Sequence, residues 1–321
     1  MSGPIKTARC TLGPAASLRD KNGLRGTGHY LLTGAEERTS SSRVPYLRVT
    51  LEDASGTVIG SVWPEHRHRI ELPALQTVIS VSGVVKVLDH APHLNIECLS
   101  PTPIEEAPPA TDLLPRHRCP AQALPGLDAL TALERTLSRP LDSFLKRVLL
   151  DPAIGLPLLR CRASVSHHHA FGGGLLAHST QMLDIAAALS RLVLPNDPTA
   201  PAMTQLGLLL HDLGKLRSVG ETRRPPGALV VRHEFIAIEL LTPHLQWLER
   251  QESDLAFGLR YLLSYLATPK KAREFSKYAV AEIIERLDEL SAATHNARDL
   301  ASLTSEKSQL MKVRTEPHAV W

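Results

Sequence analysis

A chain of 321 residues with 43% hydrophobic and 21% charged side chains has a globular balance and enough length for two domains. Its formal charge of +3 neither demands nor opposes a nucleic-acid partner, and an aromatic content of 4% leaves Leu, Val, Ile and Ala to build the core. No apolar run reaches the roughly 18 residues of a membrane helix, the N-terminus lacks a secretory apolar segment, and the four cysteines have no CxxC pairing. A cytoplasmic protein without membrane contact is expected.

Residues 1–26 read as an irregular N-terminus. From 27 to 105 the pattern turns to short strands: "HYLLTG", "YLRVTLED", "TVIGSVW", the long run "TVISVSGVVKVL" and "LNIECL". In "YLRVTL", Leu47, Val49 and Leu51 alternate with polar partners, the period of a half-buried strand. Asp53 to Gly56 reads as a hairpin loop, and Gly83 inside the longest run permits the coil at a barrel corner. A small all-β barrel is predicted. Tyr46, Trp63, Arg48 and Lys86 lie on or beside its strands. They suit a face that stacks bases and meets phosphates, although aromatics also serve as plain barrel packing.

Residues 106–126 are rich in proline and predict a semi-rigid linker or a draped segment. From 127 to 295 the chain reads as all-α: "LDALTALERTL", "PLDSFLKRVLL", one helix over 175–193, "AMTQLGLLLHDLGK", "RHEFIAIELLTPHLQWLER", "DLAFGLRYLLSYL" and "KYAVAEIIERLDELSAAT". Residues 296–321 read as a polar tail.

The stretch "FGGGLLAHSTQMLDIAAAL" opens on three glycines, and its periodicity predicts a buried stripe of Leu175, Met182, Ile185 and Leu189. His178 falls on that stripe, either as a satisfied core histidine or as a ligand. Further on, "LGLLLHDLGKL" surrounds the pair His211–Asp212 with Leu206, Leu209, Leu210 and Leu213. A carboxylate buried there must meet a cation, a metal or strong donors, because burial without a partner costs several kcal/mol. Asp288 sits beside a predicted stripe of Ile284, Leu287 and Leu290. Imidazole with carboxylate suits a divalent metal such as Mn, Mg, Fe or Zn.

Together His178, His211, Asp212 and Asp288 match the H…HD…D pattern of the HD-domain metal-dependent phosphohydrolases, which the chain resembles most around "HHHAFGGGLLAHS" and "LLLHDLGKL". The order of an OB-fold barrel, carried by "YLRVTLEDASGTVIGSVW", followed by an HD domain resembles the YhaM-type 3′–5′ exoribonucleases. The string "CRASVSHHHAFGGGLLAHS" is also similar to the HD module of TraI-type (MobH) relaxases. The resemblance implies one divalent ion on the four ligands, activating water and polarising a phosphoryl oxygen. It implies a single-stranded nucleic-acid substrate, with self-association left open.

On this reading Asp212 is both ligand and catalytic group, Lys215 faces a phosphate, and His168 and His169 donate to the substrate or leaving oxygen. Gly173, with Gly172 and Gly174, offers helix N-terminal N–H groups to phosphate, or merely permits close packing. Arg223 and Arg224 guide a strand or form a solvated turn, and His233 takes the place of a further family histidine near the metal. One departure stands out. Tyr265 and Leu266 replace the histidines of a second metal, and Ser291 replaces a second aspartate. The expected function is a metal-dependent 3′–5′ exonuclease on single-stranded RNA or DNA. The alternatives are an accessory factor of a mobile element with a degenerate HD site, and a hydrolase of small nucleotides.

Overall fold

The computed structural model describes residues 10–166, 169–228, 230–274 and 277–296. The first unit is built from β1 (Cys10–Thr11), β2 (Arg25–Thr39), β3 (Pro45–Asp53), β4 (Gly56–Val62), β5 (Val78–Leu88) and β6 (Ala91–Pro101). The strand order is β1-β2-β3-β4-β6-β5, and β5 pairs back onto β2, so that β2 to β6 close a five-stranded barrel. The β4–β6 pair is parallel and the other barrel pairs are antiparallel, the OB arrangement. Alternation drives this closure: Leu47, Val49, Leu51, Val81, Val85, Leu94 and Ile96 all point into one core. At Gly83 a Cβ would lie 2.2 Å from the Asn95 carbonyl oxygen, at a register shift in the β5–β6 ladder. Only glycine permits that approach.

The segment before β2 is more ordered than an irregular N-terminus. Leu12, Ala15 and Leu18 enter the barrel core, with a 3-10 turn over Ala15–Asp20. Tyr30 Oη donates to the Gly13 carbonyl at 2.8 Å, and Asp53 Oδ2 accepts the Ala15 N–H at 2.7 Å.

Eleven α-helices follow among the described residues: α1 (Ala110–Leu113), α2 (Leu124–Thr136), α3 (Leu141–Leu149), α4 (Gly155–Arg160), α5 (Gly174–Thr180), α6 (Leu183–Val193), α7 (Ala200–Leu210), α8 (Lys215–Ser218), α9 (His233–Gln251), α10 (Ser253–Ala267) and α11 (Ala279–Asn296). None is long and apolar enough to cross a membrane. The proline-rich stretch is packed rather than a spacer: Ala107, Ala110, Leu113, Leu114, Cys119 and Ala123 join the helical core. The buried Glu134 carboxylate accepts the N–H groups of Ala110 and Thr111 and the Thr111 hydroxyl, pinning α1 onto α2. Barrel residues Leu31 and Val78 join the same core, and Arg118 pairs with Glu52 at 2.8 Å. The two units therefore share a packed junction.

Two expectations need correction. The helix expected over 175–193 breaks after Thr180 and restarts at Leu183, which turns α6 so that Ile185 is 52% exposed rather than buried. On α11, Ile284 and Leu287 are buried but Leu290 is exposed. Short apolar runs define a helix's stripe only if the helix is continuous, and a break resets the phase.

Candidate metal centre

Three elements converge on one point. Helix α5 starts where Gly173 takes a left-handed φ of 77°, and it buries His178. Helix α7 is buried through Leu206, Leu208, Leu209 and Leu210, and the chain leaves it in tight turns that place His211 and Asp212 at its end. Helix α11 packs against α7 and supplies Asp288. One ligand atom from each of His178, His211, Asp212 and Asp288 lies within 4.8 Å of the others.

The distances define a four-cornered pocket. His178 Nε2 lies 3.2 Å from Asp212 Oδ2 and 3.1 Å from Asp288 Oδ1, while His211 Nε2 lies 3.5 and 3.6 Å from the same two oxygens. His211 Nδ1 lies 2.8 Å from the Leu208 carbonyl, so it carries the proton and donates it there. Its Nε2 is buried without a hydrogen-bond partner. A buried imidazole with one nitrogen anchored to a carbonyl and the other unsatisfied has the tautomer of a metal ligand. His178 Nδ1 sits 3.1 Å from Ser291 Oγ, which also accepts from Gln181 Nε2, and this orients the His178 ring. The four residues fit a divalent ion.

Electrostatics agrees. Burial alone would lower His211, but Asp212 and Asp288 outweigh it and push the ring up to about 9. His178 is raised in the same way against its own burial by hydrogen bonds to the two carboxylates. Burial would raise Asp212 and Asp288, yet the neighbouring imidazoles, with Lys215 for Asp212, hold both below the usual carboxylate range. The buried Asp212 and the half-buried Asp288 carboxylates call for positive charge, which a metal ion could supply in place of protons.

The other sequence candidates divide. Lys215 does not point outward to a phosphate: its Nζ is 2.5 Å from Asp212 Oδ2, a short contact at i, i+3 that neutralises the ligand. His233, at the start of α9, does reach the site, with Nε2 3.0 Å from Asp212 Oδ1. His169, at φ 54°, is buried with its ring 5.6 Å from that of His178. His168 lies outside the described residues. Gly173 offers no free N–H to phosphate: the N–H groups of Gly173, Gly174 and Leu175 already donate to the carbonyls of Arg160, Phe171 and Cys161. A Cβ at Gly173 would fall 2.5 Å from Ala123 Cβ, and one at Gly174 2.0 Å from the His169 carbonyl oxygen. The glycines serve close packing. Arg223 and Arg224 are exposed on the loop before α9.

On the barrel, Tyr46, Arg48 and Trp63 are partly exposed and Lys86 is exposed. Tyr46 and Trp63 do not pack the interior. Their ring centroids are 5.1 Å apart on the outer face, where Arg48 also pairs with Glu36 at 3.1 Å. Beside them Ser61 Oγ meets His93 Nε2 at 2.8 Å, and Lys86 lies opposite His93 in the ladder.

Sequence reasoning did not assign roles to the carboxylates around the metal pocket. Glu234 and Glu285 line the same cavity, of about 120 Å³, as His211, Asp212, His233, Leu266 and Asp288. Glu285 precedes Asp288 by three residues, the spacing that puts both on one helix face, and that was the available signal. Each is tied to an arginine: Glu285 to Arg273 at 2.7 Å and Glu234 to Arg232 at 2.5 Å. Arg273 stacks 4.0 Å above the Tyr265 ring, and Tyr265 Oη donates to Glu282. Tyr265 is thus part of a closed network.

No family model matches the chain. Among curated proteins it is similar to the 3′-5′ exoribonuclease YhaM of Bacillus pumilus and of Bacillus subtilis, each 24% identical over 191 residues. Those alignments take in 60% of this chain and 59% of the relative, so the chain spans about three-fifths of their length. The protein of the same description from Bacillus licheniformis is 23% identical over 269 residues, covering 82% of this chain and 83% of that one. Among solved structures, the second OB-fold domain of replication protein A from Methanococcus maripaludis aligns with 27% of this chain and 90% of its own, at 21% identity and a TM-score of 0.21.

Proposed function

We propose that this protein is a metal-dependent phosphodiesterase that removes nucleotides from the 3′ end of single-stranded RNA or DNA. The observation that carries the reading is the buried, unpartnered His211 Nε2 aimed at His178, Asp212 and Asp288. The relatives, which are 3′-5′ exoribonucleases, support the polarity and substrate class. A divalent ion held by the four residues would supply a Lewis acid for the phosphoryl oxygen and an activated water. Two imidazoles in the donor set favour Mn, Fe or Zn over Mg.

The chain's own residues prepare the site. Lys215 and His233 each hold one Asp212 oxygen, fixing the carboxylate plane. His169, with its ring centroid 5.6 Å from that of His178, is a further imidazole able to hand a proton to a departing oxygen. The barrel, over 27–105, would hold the strand while the helical unit, over 127–295, cuts it. The decisive assay incubates purified protein with Mn²⁺ and single-stranded RNA and DNA labelled at either end, with free nucleotides as a parallel substrate. Stepwise loss from the 3′ end is expected. Turnover of free nucleotides alone, or strand binding without turnover, would overturn the proposal.

Two quantitative outcomes go with it. After dialysis, metal analysis should find one tightly bound divalent ion per chain. Glu234 and Glu285 are committed to arginines and Tyr265 to Glu282, leaving His233 as a single nitrogen against the three or four ligands a stable site usually takes. A stoichiometry near two would show that the cavity recruits those carboxylates. On the barrel, Tyr46→Ala and Trp63→Ala should each weaken single-strand binding about tenfold, since stacking one base contributes roughly 1–3 kcal/mol. Unchanged affinity in folded variants would move the strand to another face.

A further inference from the structure

Helix α6 buries Leu183, Ala186, Ala187 and Ser190 and turns its opposite side outward. That side carries Ile185, Ala188 and Leu192, the i, i+3, i+7 spacing of an apolar stripe, with Leu189 at its edge packed partly against the core. Leu192 is 78% exposed. Val193 at the end of α6, and Leu290 on α11, which packs against it, are also exposed. Scattered exposed leucines are ordinary, but a stripe along one helix marks an interaction surface.

The charges beside the stripe say what would cover it. Asp184 and Arg191 are both exposed and stand seven residues apart, two turns, so they lie on the same flank of the stripe at opposite ends. Neither forms an ion pair among the described residues. A two-fold axis across the helix between residues 187 and 188 would lay α6 antiparallel on a copy of itself. Asp184 then meets the partner's Arg191 at one end, and the reciprocal pair forms at the other. Ala188 stands nearest the axis, where a small side chain lets the helices approach. Ile185 and Leu192 of each chain close on the partner's Leu192 and Ile185. A parallel pairing would instead put the two copies of Asp184 at the same height on opposite flanks, with Arg191 two turns away.

We propose that the outward stripe of α6 is a homodimer interface, isologous and antiparallel, centred on Ala188. The occupant is a second copy of this chain, because the flanking charges of the surface are complementary to themselves under the two-fold axis.

Sedimentation velocity of the full chain at micromolar concentration should show a dimer. Leu192→Glu alters a side chain that is 78% exposed, and should weaken association at least about 100-fold, since each dimer loses two apolar anchors and gains two charges in their place. Its circular dichroism should not change. Asp184→Arg and Arg191→Asp alone should each weaken the dimer, and the double variant should restore it. That rescue belongs to the antiparallel pairing alone. Ala188→Cys, in a Cys10→Ser background, should oxidise to a disulfide between chains. A wild-type monomer at about 100 µM, far above the Kd expected of a specific interface, would overturn the proposal. So would a dimer indifferent to Leu192→Glu and to the charge reversal, or a monomer whose α6 loses amide protection when residues 297–321 are deleted.

Discussion

Asp212→Asn is expected to abolish retention of the divalent ion and to lower hydrolysis by at least about a thousandfold while the chain stays folded. The amide keeps the shape, but its single oxygen can accept from only one of Lys215 and His233, whose nitrogens lie 2.5 and 3.0 Å from different carboxylate oxygens. It removes the negative charge that, with Asp288, draws positive charge into the pocket. A ligand-linkage measurement separates metal loss from unfolding. Manganese at 100 times its Kd should stabilise the wild type by about 2.7 kcal/mol, whereas Asp212→Asn should melt at the same temperature with manganese or with chelator. Wild-type turnover in this variant would remove Asp212 from the site. A variant that neither folds nor binds metal would be replaced by His211→Ala, which deletes the unpartnered nitrogen directly and has the same expected outcome.

Gly214→Ala should be almost as damaging, although the residue touches no ligand atom itself. A Cβ there would fall 1.7 Å from the His233 carbonyl oxygen, 2.6 Å from its carbon and 2.8 Å from the Ala237 nitrogen. These are backbone atoms at the start of α9 and cannot swing aside as a side-chain tip would. The helix must move outward, at a cost of about 1–3 kcal/mol for overpacking. His233 then leaves Asp212. A displacement on the order of 1 Å at a catalytic constellation can cost about 100-fold in rate, and a loss of that size is expected in the maximal turnover. Gly258→Ala is the matching control. Its Cβ would meet only the flexible end of Met203, at 2.7 Å, so that variant should melt within about 1 kcal/mol of the wild type. If Gly214→Ala retained full turnover, α9 would have no part in setting the site.

The barrel and the four residues that converge on one pocket were legible in the sequence. Alternation in Leu47, Val49 and Leu51 is a local signal, because a strand's faces follow from a period of two within the strand itself. His211 and Asp212 were legible for a related reason: ionisable groups inside an oily helix end are so costly to bury unpaired that they advertise a partner. The resemblance then supplied His178 and Asp288 as that partner, and the structure brings their ligand atoms together.

Other features depended on tertiary placement. The break between Thr180 and Leu183 rotates α6, so Ile185, read as core, faces outward; helix phase is lost across a break that periodicity alone does not reveal. Lys215 looked like a cation for phosphate, but the turns after α7 fold its Nζ back onto Asp212. The glycines before α5 read either as a phosphate cradle or as close packing, and the N–H groups of Gly173 and Gly174 are spent on the carbonyls of 160 and 171. Their φ freedom is encoded locally, whereas the atoms that crowd them come from α4 and the turn before α2. The identity of a side chain states what it can bond. Which partner it meets depends on residues far away in the chain, and only packing brings those within reach.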